Sequence, residues 1–222
     1  MKQKMLIYGA GTYGKIVYHD IRQFSDDIEV VAFVEDKEYI KTTQVFGIPL
    51  IAFETVQDSY PPPYTMLVCC GYSVMRNRKI MYTKAKAKGY TLPNYISNKA
   101  ILETMPAMGD NNIILANSVV GYNGIMGSDN IIFQNVWLGH DFVIGDHSII
   151  AFGSNIGGRA KIGSLVYISI GVSSTGKISF GDESLVGVGS CVVRDVEAYS
   201  TVVGNPAKVI RYQRETGVII DK

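Results

Sequence analysis

The sequence has few cysteines and histidines, and it lacks a long apolar run. Its 222 residues include three cysteines, three histidines and one tryptophan. Cys69 and Cys70 are adjacent, and three thiols form neither a disulfide framework nor a CxxC metal site, so we expect reduced thiols in a reducing compartment. The apolar run in "MKQKMLIYGAG" is too short for a secretory signal, and no run of about eighteen apolar residues follows. We therefore expect a cytoplasmic protein.

The chain also lacks an excess of charge of either sign. Its 21 basic and 20 acidic residues give a formal net charge of +1, and the two signs are interleaved. Proteins that bind nucleic acid or anionic membranes by charge have a basic patch, which this pattern does not predict. We expect a small molecule as the partner. An apolar content of 47% is sufficient for an ordinary core.

The first half of the chain alternates strand and helix patterns. The apolar runs in "KMLIYGA", "EVVAFVED" and "YTMLVCCG" predict buried strands, and "GKIVYHDIRQF" has apolar residues at helical spacing. A second helix is predicted between Ser73 and Gly89, with its basic residues in solvent. Strands that alternate with helices favour a small Rossmann-like parallel sheet, which we assign to residues 1–94.

The second half is a six-residue repeat. When the chain is cut every six residues from Ile113, the second place is apolar in thirteen of fourteen hexads, and Ser174 is the exception. The third place is glycine eight times. This period predicts a hexapeptide parallel β-helix, with the branched residue inside and the glycine relaxing the backbone at the bend. We assign it to residues 95–210 and leave residues 211–222 as a tail without a role.

Repeats of this kind resemble the left-handed β-helix of acyltransferases, in which three hexads close one coil. Each residue then lies beside the residue three hexads further on, so His140 is expected beside Gly158, and Gly158 beside Gly176. The imidazole would face an open notch, Asp141 could raise its basicity, and bare backbone could donate an N–H to an oxyanion. The alternatives are a solvated histidine and a subunit contact that has no chemistry.

Five motifs in order resemble the family of sialic acid O-acetyltransferases and bacillosamine-type amino-sugar N-acetyltransferases. They run through nearly the whole chain and are "IYGAGTYGKIV", "VVAFVED", "CCGYSVMRNRKI", "GHDFVIGD" and "GNPAKVI". The family joins a small nucleotide-sugar-binding α/β domain to a trimeric left-handed β-helix. The resemblance implies an acetyl-CoA-dependent acetyltransferase that is a homotrimer and needs no metal.

The resemblance also implies individual roles. His140 would be the general base, and Asp141 would raise its basicity. Acetyl-CoA would lie in the groove between neighbouring subunits, where Gly158 would place its N–H near the thioester oxygen. The expected acetyl-CoA contacts are Ile149, Gly158, Ile170 and Val188.

The glycine loop "GAGTYG" follows a strand and opens a helix, which is the setting of a nucleotide phosphate site. The domain has little room for hydride-transfer machinery, so a nucleotide sugar fits better than a dinucleotide. Gly9 and Gly14 could equally serve turn geometry and close helix packing. The expected substrate-binding residues are Gly11, Thr12 and Tyr13 in the loop, Glu35 and Asp36 at the end of the second strand, and Gly71 at the end of a third.

Two positions depart from the family pattern. Relatives often have a histidine in place of Tyr13, and another in place of Ile149 that touches the thioester. These departures are compatible with acetyl transfer and leave the acceptor open. Lys208 and Arg211 are candidates for the 3′-phosphate of CoA by charge and location alone.

The predicted function is therefore N-acetylation of a nucleotide-linked amino sugar, preferably a UDP-linked 4-amino sugar. Two alternatives stay open: O-acetylation of a sialic-acid-like sugar, and a nucleotide-sugar-binding scaffold without catalysis. A zinc carbonic anhydrase on the same helix needs three imidazoles per metal, whereas the repeat contains only His140 and His147.

Overall fold

The N-terminal region of the computed structural model is a three-layer α/β unit. The structure describes residues 2–69 and 73–220. The strands of this region are β1 Gln3–Tyr8, β2 Ile28–Glu35, β3 Gln44–Val45, β4 Ile48–Ala52 and β5 Thr65–Val68, and the helices are α1 Thr12–Phe24, α2 Val56–Ser59 and α3 Arg76–Ala87. Short 3₁₀ turns span Lys37–Tyr39 and Phe53–Thr55. The sheet order is β3-β4-β2-β1-β5, and only the β3–β4 hairpin is antiparallel.

Alternate side chains of β1 enter two different apolar layers. Met5 and Ile7 join a cluster that contains residues of α1 and continues onto the β-helix. Leu6 and Tyr8 lie on the opposite side, in a cluster that contains Ala85 of α3. Successive side chains of a strand point to opposite faces, so an uninterrupted apolar run is what a sheet covered on both faces requires.

The glycine loop is shaped by close packing between α1 and β1. A Cβ added at Gly14 would lie 1.8 Å from the carbonyl oxygen of Gly9, so only glycine fits at this point of the helix. Gly9 has a φ of +122°, which L side chains rarely adopt. Both residues therefore have the structural role that the sequence left open. None of the helices in residues 2–69 and 73–220 combines the length and the apolar character of a membrane span.

The repeat folds into a three-sided parallel β-helix. Its two-residue strands are β6 Tyr95–Ile96, β7 Ile101–Leu102, β8 Ala107–Met108, β9 Ile113–Ile114, β10 Val119–Val120, β11 Ile125–Met126, β12 Ile131–Ile132, β13 Trp137–Leu138, β14 Val143–Ile144, β15 Ile149–Ile150, β16 Asn155–Ile156, β17 Lys161–Ile162, β18 Tyr167–Ile168, β19 Ser173–Ser174, β20 Ser179–Phe180, β21 Leu185–Val186 and β22 Cys191–Val192. A hairpin of β23 Ser200–Gly204 and β24 Ala207–Tyr212 extends one side.

Every third strand of the β-helix belongs to the same face. We call the faces that begin with β6, β7 and β8 the first, second and third faces. Trp137 pairs with Asn155 and Val143 pairs with Lys161, so the predicted spacing of three hexads per coil is confirmed. The second residues of the two-residue strands form an inward column of apolar side chains, with Ser174 of β19 as the exception. The burial of these side chains is the main stabilising term of the prism.

The first face carries the N-terminal region. Its outward residues, which include Ile113, Ile131 and Ile149, are fully buried in the same cluster as Ile7 and Val17. The two parts of the chain therefore share one apolar core at their junction. Polar contacts border this core: the carboxylate of Asp20 in α1 accepts hydrogen bonds from the Tyr95 hydroxyl and from the backbone N–H of Ala116, at 2.7 and 3.1 Å.

The corner glycines have a different role from the predicted one. Left-handed φ values occur at the fifth place of the hexads, for example at Asn123, Asp141 and Arg159, and not at the third-place glycines. A Cβ at Gly139 would instead lie 2.5 Å from the backbone nitrogen of Gly158. The third place is therefore glycine because adjacent coils approach too closely at the corner for a side chain.

The prediction that the basic residues of α3 are solvated is wrong for Arg78. This side chain is fully buried and donates hydrogen bonds to the carboxylate and the carbonyl oxygen of Asp129, at 2.6 and 2.9 Å. Asn111 and His147 hold the same carboxylate from the coils before and after it, at 2.6 and 2.9 Å. The burial of a charge at this junction is compatible with folding because the charge is paired and hydrogen-bonded.

Candidate active site

The candidate base lies at the corner that follows β13. His140 follows the strand after Gly139, and Asp141 occupies the left-handed position with a φ of +55°. This turn brings the Asp141 carboxylate beside the ring, where Oδ2 is 2.8 Å from Nδ1 of His140. The His140 side chain is 40% exposed, so the ring is accessible while one of its nitrogens is held. This arrangement fixes the ring orientation and leaves Nε2 for chemistry.

The next coil presents bare backbone to the free edge of the imidazole. A Cβ at Gly158 would lie 2.7 Å from Nε2 of His140, so the ring occupies the space that any side chain would need. Gly176 follows one coil further on, where a Cβ would lie 2.8 Å from the carbonyl oxygen of Gly158. The predicted stack of His140, Gly158 and Gly176 is confirmed. Together with Arg159 and Lys177, these three residues line a shallow cavity of about 330 Å³.

Two aromatic residues, Tyr122 and Trp137, border the other side of the imidazole. The Tyr122 ring is stacked on His140 with centroids 5.1 Å apart and an angle of 10° between the planes. Tyr122 precedes His140 by three hexads, which is one coil, so its contact with the histidine could have been predicted from this spacing. Tyr122 and His140 line a cavity of about 190 Å³, together with Trp137 and Glu103. Trp137 is 53% exposed on the second face.

Asp141 has partners besides the histidine. Asn123, one coil earlier, donates a hydrogen bond from Nδ2 to Oδ1 of Asp141 at 2.6 Å, and Nε of Arg159 is 3.8 Å from Oδ2. The hydrogen bond from Asn123 and then that from His140 lower the pKa of Asp141. The carboxylate is therefore anionic at neutral pH, and its charge can stabilise the positive charge of an imidazole that gains a proton.

The glycine loop and the second strand enclose a separate cavity of about 380 Å³. We call it the nucleotide cavity, after the ligand that the sequence analysis predicted for the glycine loop. Four predicted binding residues line it, and another wall comes from residues 73–81, where the sequence predicted a helix without a binding role. The predicted residues are Gly11, Thr12, Tyr13 and Glu35, and the others named here are Gly9, Tyr39, Cys69, Ser73, Val74, Asn77 and Met81.

The two acids after β2 have different surroundings. Glu35 lines the nucleotide cavity and accepts a hydrogen bond from the backbone N–H of Ala10 at 2.9 Å, while burial raises the pKa of its carboxyl group. Asp36 instead accepts hydrogen bonds from the Tyr8 hydroxyl and from Nζ of Lys84, at 2.5 and 2.9 Å. Asp36 therefore connects the end of β2 to β1 and α3 and is not among the residues that line the nucleotide cavity, and its expected contact with the substrate stays a prediction.

Tyr13 and Gly71 are the other two predicted substrate-binding positions. Tyr13 lines the nucleotide cavity, but its ring is mostly buried and packs edge-on against Phe133 of the β-helix, with centroids 4.6 Å apart. Gly71 lies outside the described residues. Cys69 also lines the cavity, and burial raises the pKa of its thiol to about 12, so it stays protonated and is a poor nucleophile.

The expected contact of Ile149 with acetyl-CoA is wrong. Ile149 is fully buried on the first face, in the core shared with the N-terminal region. Ile170 and Val188 are 49% and 70% exposed, at the corner that follows this face. Ile149 is separated from Ile170 by 21 residues, which is not a whole number of coils, whereas Phe152 lies one coil before Ile170. Ile170 and Val188 stay candidates for acetyl-CoA contacts.

The structure also separates the histidines that a metal centre would need. His147 is buried, and its Nδ1 is 2.9 Å from the carboxylate of Asp129 at the corner that follows the third face. His19 is exposed on α1. Within residues 2–69 and 73–220, no three His, Cys, Asp or Glu side chains are grouped to hold a metal ion.

No protein-family model and no curated protein matches the chain. Its structure is similar to that of the acetyltransferase domain of PglB from Neisseria gonorrhoeae FA1090, with 24% identity, a TM-score of 0.86, and coverage of 94% of this chain and 100% of that one. The same domain was also solved in complex with acetyl coenzyme A. PerB from Caulobacter crescentus, solved with CoA and GDP-perosamine, is 21% identical over 93% of this chain and 96% of its own, with a TM-score of 0.82.

These likenesses confirm the predicted fold: a Rossmann-like α/β region followed by a left-handed parallel β-helix. The two proteins are also of the kind that the sequence motifs resemble, since one is an acetyltransferase domain and the other was solved with CoA and a nucleotide-linked amino sugar.

Proposed function

We propose that this protein transfers the acetyl group of acetyl-CoA to the amino group of a nucleotide-linked sugar. The observation that carries the proposal is His140, whose ring pairs with a carboxylate at Nδ1 and faces bare backbone at Nε2. The fold supports it, because the PglB domain was solved with acetyl coenzyme A and PerB with CoA and GDP-perosamine. The 4-amino group of a UDP-linked sugar is the first acceptor to test.

The chemistry is direct transfer without an acyl-enzyme. Nε2 of His140 takes a proton from the acceptor nitrogen as that nitrogen attacks the acetyl carbonyl carbon. A new C–N bond forms, and the carbonyl oxygen becomes an oxyanion to which the Gly158 backbone N–H donates a hydrogen bond. The C–S bond then breaks, the imidazolium returns its proton to the CoA thiolate, and Asp141 stabilises the charged ring in between.

The proposal requires more than one copy of the chain. His140 lies at the corner between the second and third faces, which is opposite the first face in a three-sided prism. The N-terminal region packs on that first face, so the nucleotide cavity of the same chain lies on the other side. The acceptor must therefore be brought to His140 by the N-terminal region of a neighbouring subunit.

The outer faces are suited to such an assembly. Large apolar side chains are more than 40% exposed on both of them: Ile101 and Trp137 on the second face, and Ile125 and Val143 on the third. Three copies around a common axis would cover these side chains and place each candidate base beside another subunit. We therefore propose a homotrimer, located in the cytoplasm where its small-molecule substrates are available.

The proposal is tested by supplying the protein with acetyl-CoA and a panel of acceptors, and by recording the release of free thiol. The panel contains UDP-, GDP- and dTDP-linked 4-amino and 3-amino sugars, and sialic acid as a hydroxyl acceptor. We expect thiol release with at least one nucleotide amino sugar and an amide in the product by mass spectrometry. Release with sialic acid alone would replace the proposal by O-acetylation, and no release with any acceptor would indicate a binding scaffold.

A further inference from the structure

The last residues of the chain connect the two regions of the molecule. After β24 the chain turns back, and we call residues 213–220 the C-terminal strap. Gln213 is buried and anchors the strap to the β-helix: its side-chain oxygen accepts a hydrogen bond from the Thr201 hydroxyl at 2.8 Å, and its amide donates to the Glu183 carbonyl at 3.2 Å. The strap therefore begins from a fixed point on the last coils of the prism.

From this anchor the strap reaches the N-terminal region and pairs with the segment that precedes α3. The N–H of Met75 donates to the Val218 carbonyl at 3.0 Å, and the N–H of Ile220 donates to the Ser73 carbonyl at 2.9 Å. Val74 and Ile219 form an antiparallel bridge between these two bonds. The strap thus acts as a short added strand whose backbone hydrogen bonds hold residues 73–75.

An apolar contact and an ion pair strengthen this connection. Val218 is 1% exposed and lies in the same apolar cluster as Met75. Arg76, the first residue of α3, donates hydrogen bonds to the Glu183 carboxylate at 2.7 Å and to the carbonyl oxygens of Glu215 and Arg214 at 2.7 and 2.8 Å. One guanidinium therefore joins α3, the β-helix and the strap.

The strap passes this guanidinium at a glycine. Gly217 has a φ of +66°, and a Cβ there would lie 2.8 Å from Nε of Arg76 and 2.7 Å from Oε2 of Glu183. A side chain at this position would both strain the backbone and force the ion pair apart. Gly217 is therefore the point at which the strap can be loosened by a single small change.

The segment that the strap holds is a wall of the nucleotide cavity. Ser73, Val74 and Asn77 all line that cavity, and Ser73 and Val74 are bound by the strap directly. We infer that the C-terminal strap positions this wall and thereby sets the affinity of the nucleotide cavity for its nucleotide sugar, an inference that rests on the proposed function. The strap residues are positioning residues, since they act through residues 73–77.

The inference is tested with the full chain and the Gly217→Ala variant. Suppose that in Gly217→Ala residues 73–77 adopt the binding-competent conformation only about a tenth of the time. The dissociation constants of UDP, GDP or dTDP, measured by titration calorimetry, then rise about tenfold. The KM for the nucleotide sugar should rise by a similar factor, with the kcat and the KM for acetyl-CoA changed by less than about twofold. Hydrogen exchange at the Met75 and Ile220 amides should become faster, while amides in the β-helix keep their protection.

The matched control is Gly47→Ala. Gly47 has a φ of +77° in the turn between β3 and β4, and a Cβ there would meet nothing within 4 Å. This variant has the same kind of backbone strain without touching Arg76 or Glu183, so nucleotide affinity should equal that of the unmodified protein. An unchanged nucleotide affinity in Gly217→Ala overturns the role of the strap. If the unmodified protein binds none of the three nucleotides, the proposed function itself is overturned.

Discussion

At the scale of single residues, His140 and Gly158 form one unit. The imidazole lies where a Gly158 side chain would be, and Asp141 holds the ring in that position through Nδ1. The His-Asp dipeptide and the glycine three hexads later were both visible in the sequence, and the coil of three hexads that the resemblance implied placed them together. Tyr122 and Asn123, which contact the ring and the carboxylate, were not recognised, since aromatic and amide residues are also common at solvated corners.

Replacement of the candidate base tests this unit. The His140→Ala variant should lose about 10²- to 10⁴-fold in turnover, because no other group accepts the proton at this position. The oligomeric state and the affinity for acetyl-CoA should stay as in the unmodified protein, measured by light scattering and calorimetry. The control is His19→Ala, which removes an exposed histidine on α1 and should retain full turnover. Retained activity in His140→Ala would contradict the assigned role.

At the scale of elements, the two halves of the chain were predicted with different precision. Their types followed from two periods, because an apolar residue every sixth place and a continuous apolar strand satisfy different geometries. The role of the glycines was predicted less well. The sequence indicates that Gly139 and Gly14 avoid a side chain, but only the packing of coil on coil and of α1 on β1 shows that crowding is the reason.

Gly14 provides the test at this scale. Because a Cβ at this position would lie 1.8 Å from the Gly9 carbonyl oxygen, Gly14→Ala must move α1 away from β1. We expect the free energy of unfolding to fall by at least about 1–3 kcal/mol, the usual cost of overpacking, as measured by chemical denaturation. Gly11→Ala is the control, since a Cβ there would meet nothing within 4 Å. Equal stability of the two variants would show that the helix can shift without cost.

At the scale of the whole molecule, the arrangement of the two regions decides how the site can work. The nucleotide cavity and His140 lie on opposite sides of the prism in one chain. Under the proposed function neither part of the site would be sufficient in a monomer, so activity would depend on the assembly. The homotrimer and the shared site are therefore one hypothesis, which is tested by measuring the activity of assemblies that contain two different variants.

Mixed assemblies provide the prediction at this scale. The His140→Ala variant lacks the base, and a Gly11→Phe variant should fill the nucleotide cavity with its new ring. Each variant alone should be inactive in the thiol-release assay. Trimers co-expressed from both should regain part of the activity, because a subunit with an intact base can meet a neighbour with an intact cavity. A mixture as inactive as its components would indicate that both functions are needed within one chain.

The sequence by itself determined the two fold types, because these depend on local periodicity, and the coil of three hexads that the resemblance implied then placed His140 beside Gly158. The tertiary structure alone decided the rest. It buried Ile149 and Arg78 at the junction and paired residues 213–220 with residues 73–75. These outcomes depend on which face of the prism carries the N-terminal region, and no single stretch of sequence encodes a contact between two separately folded surfaces.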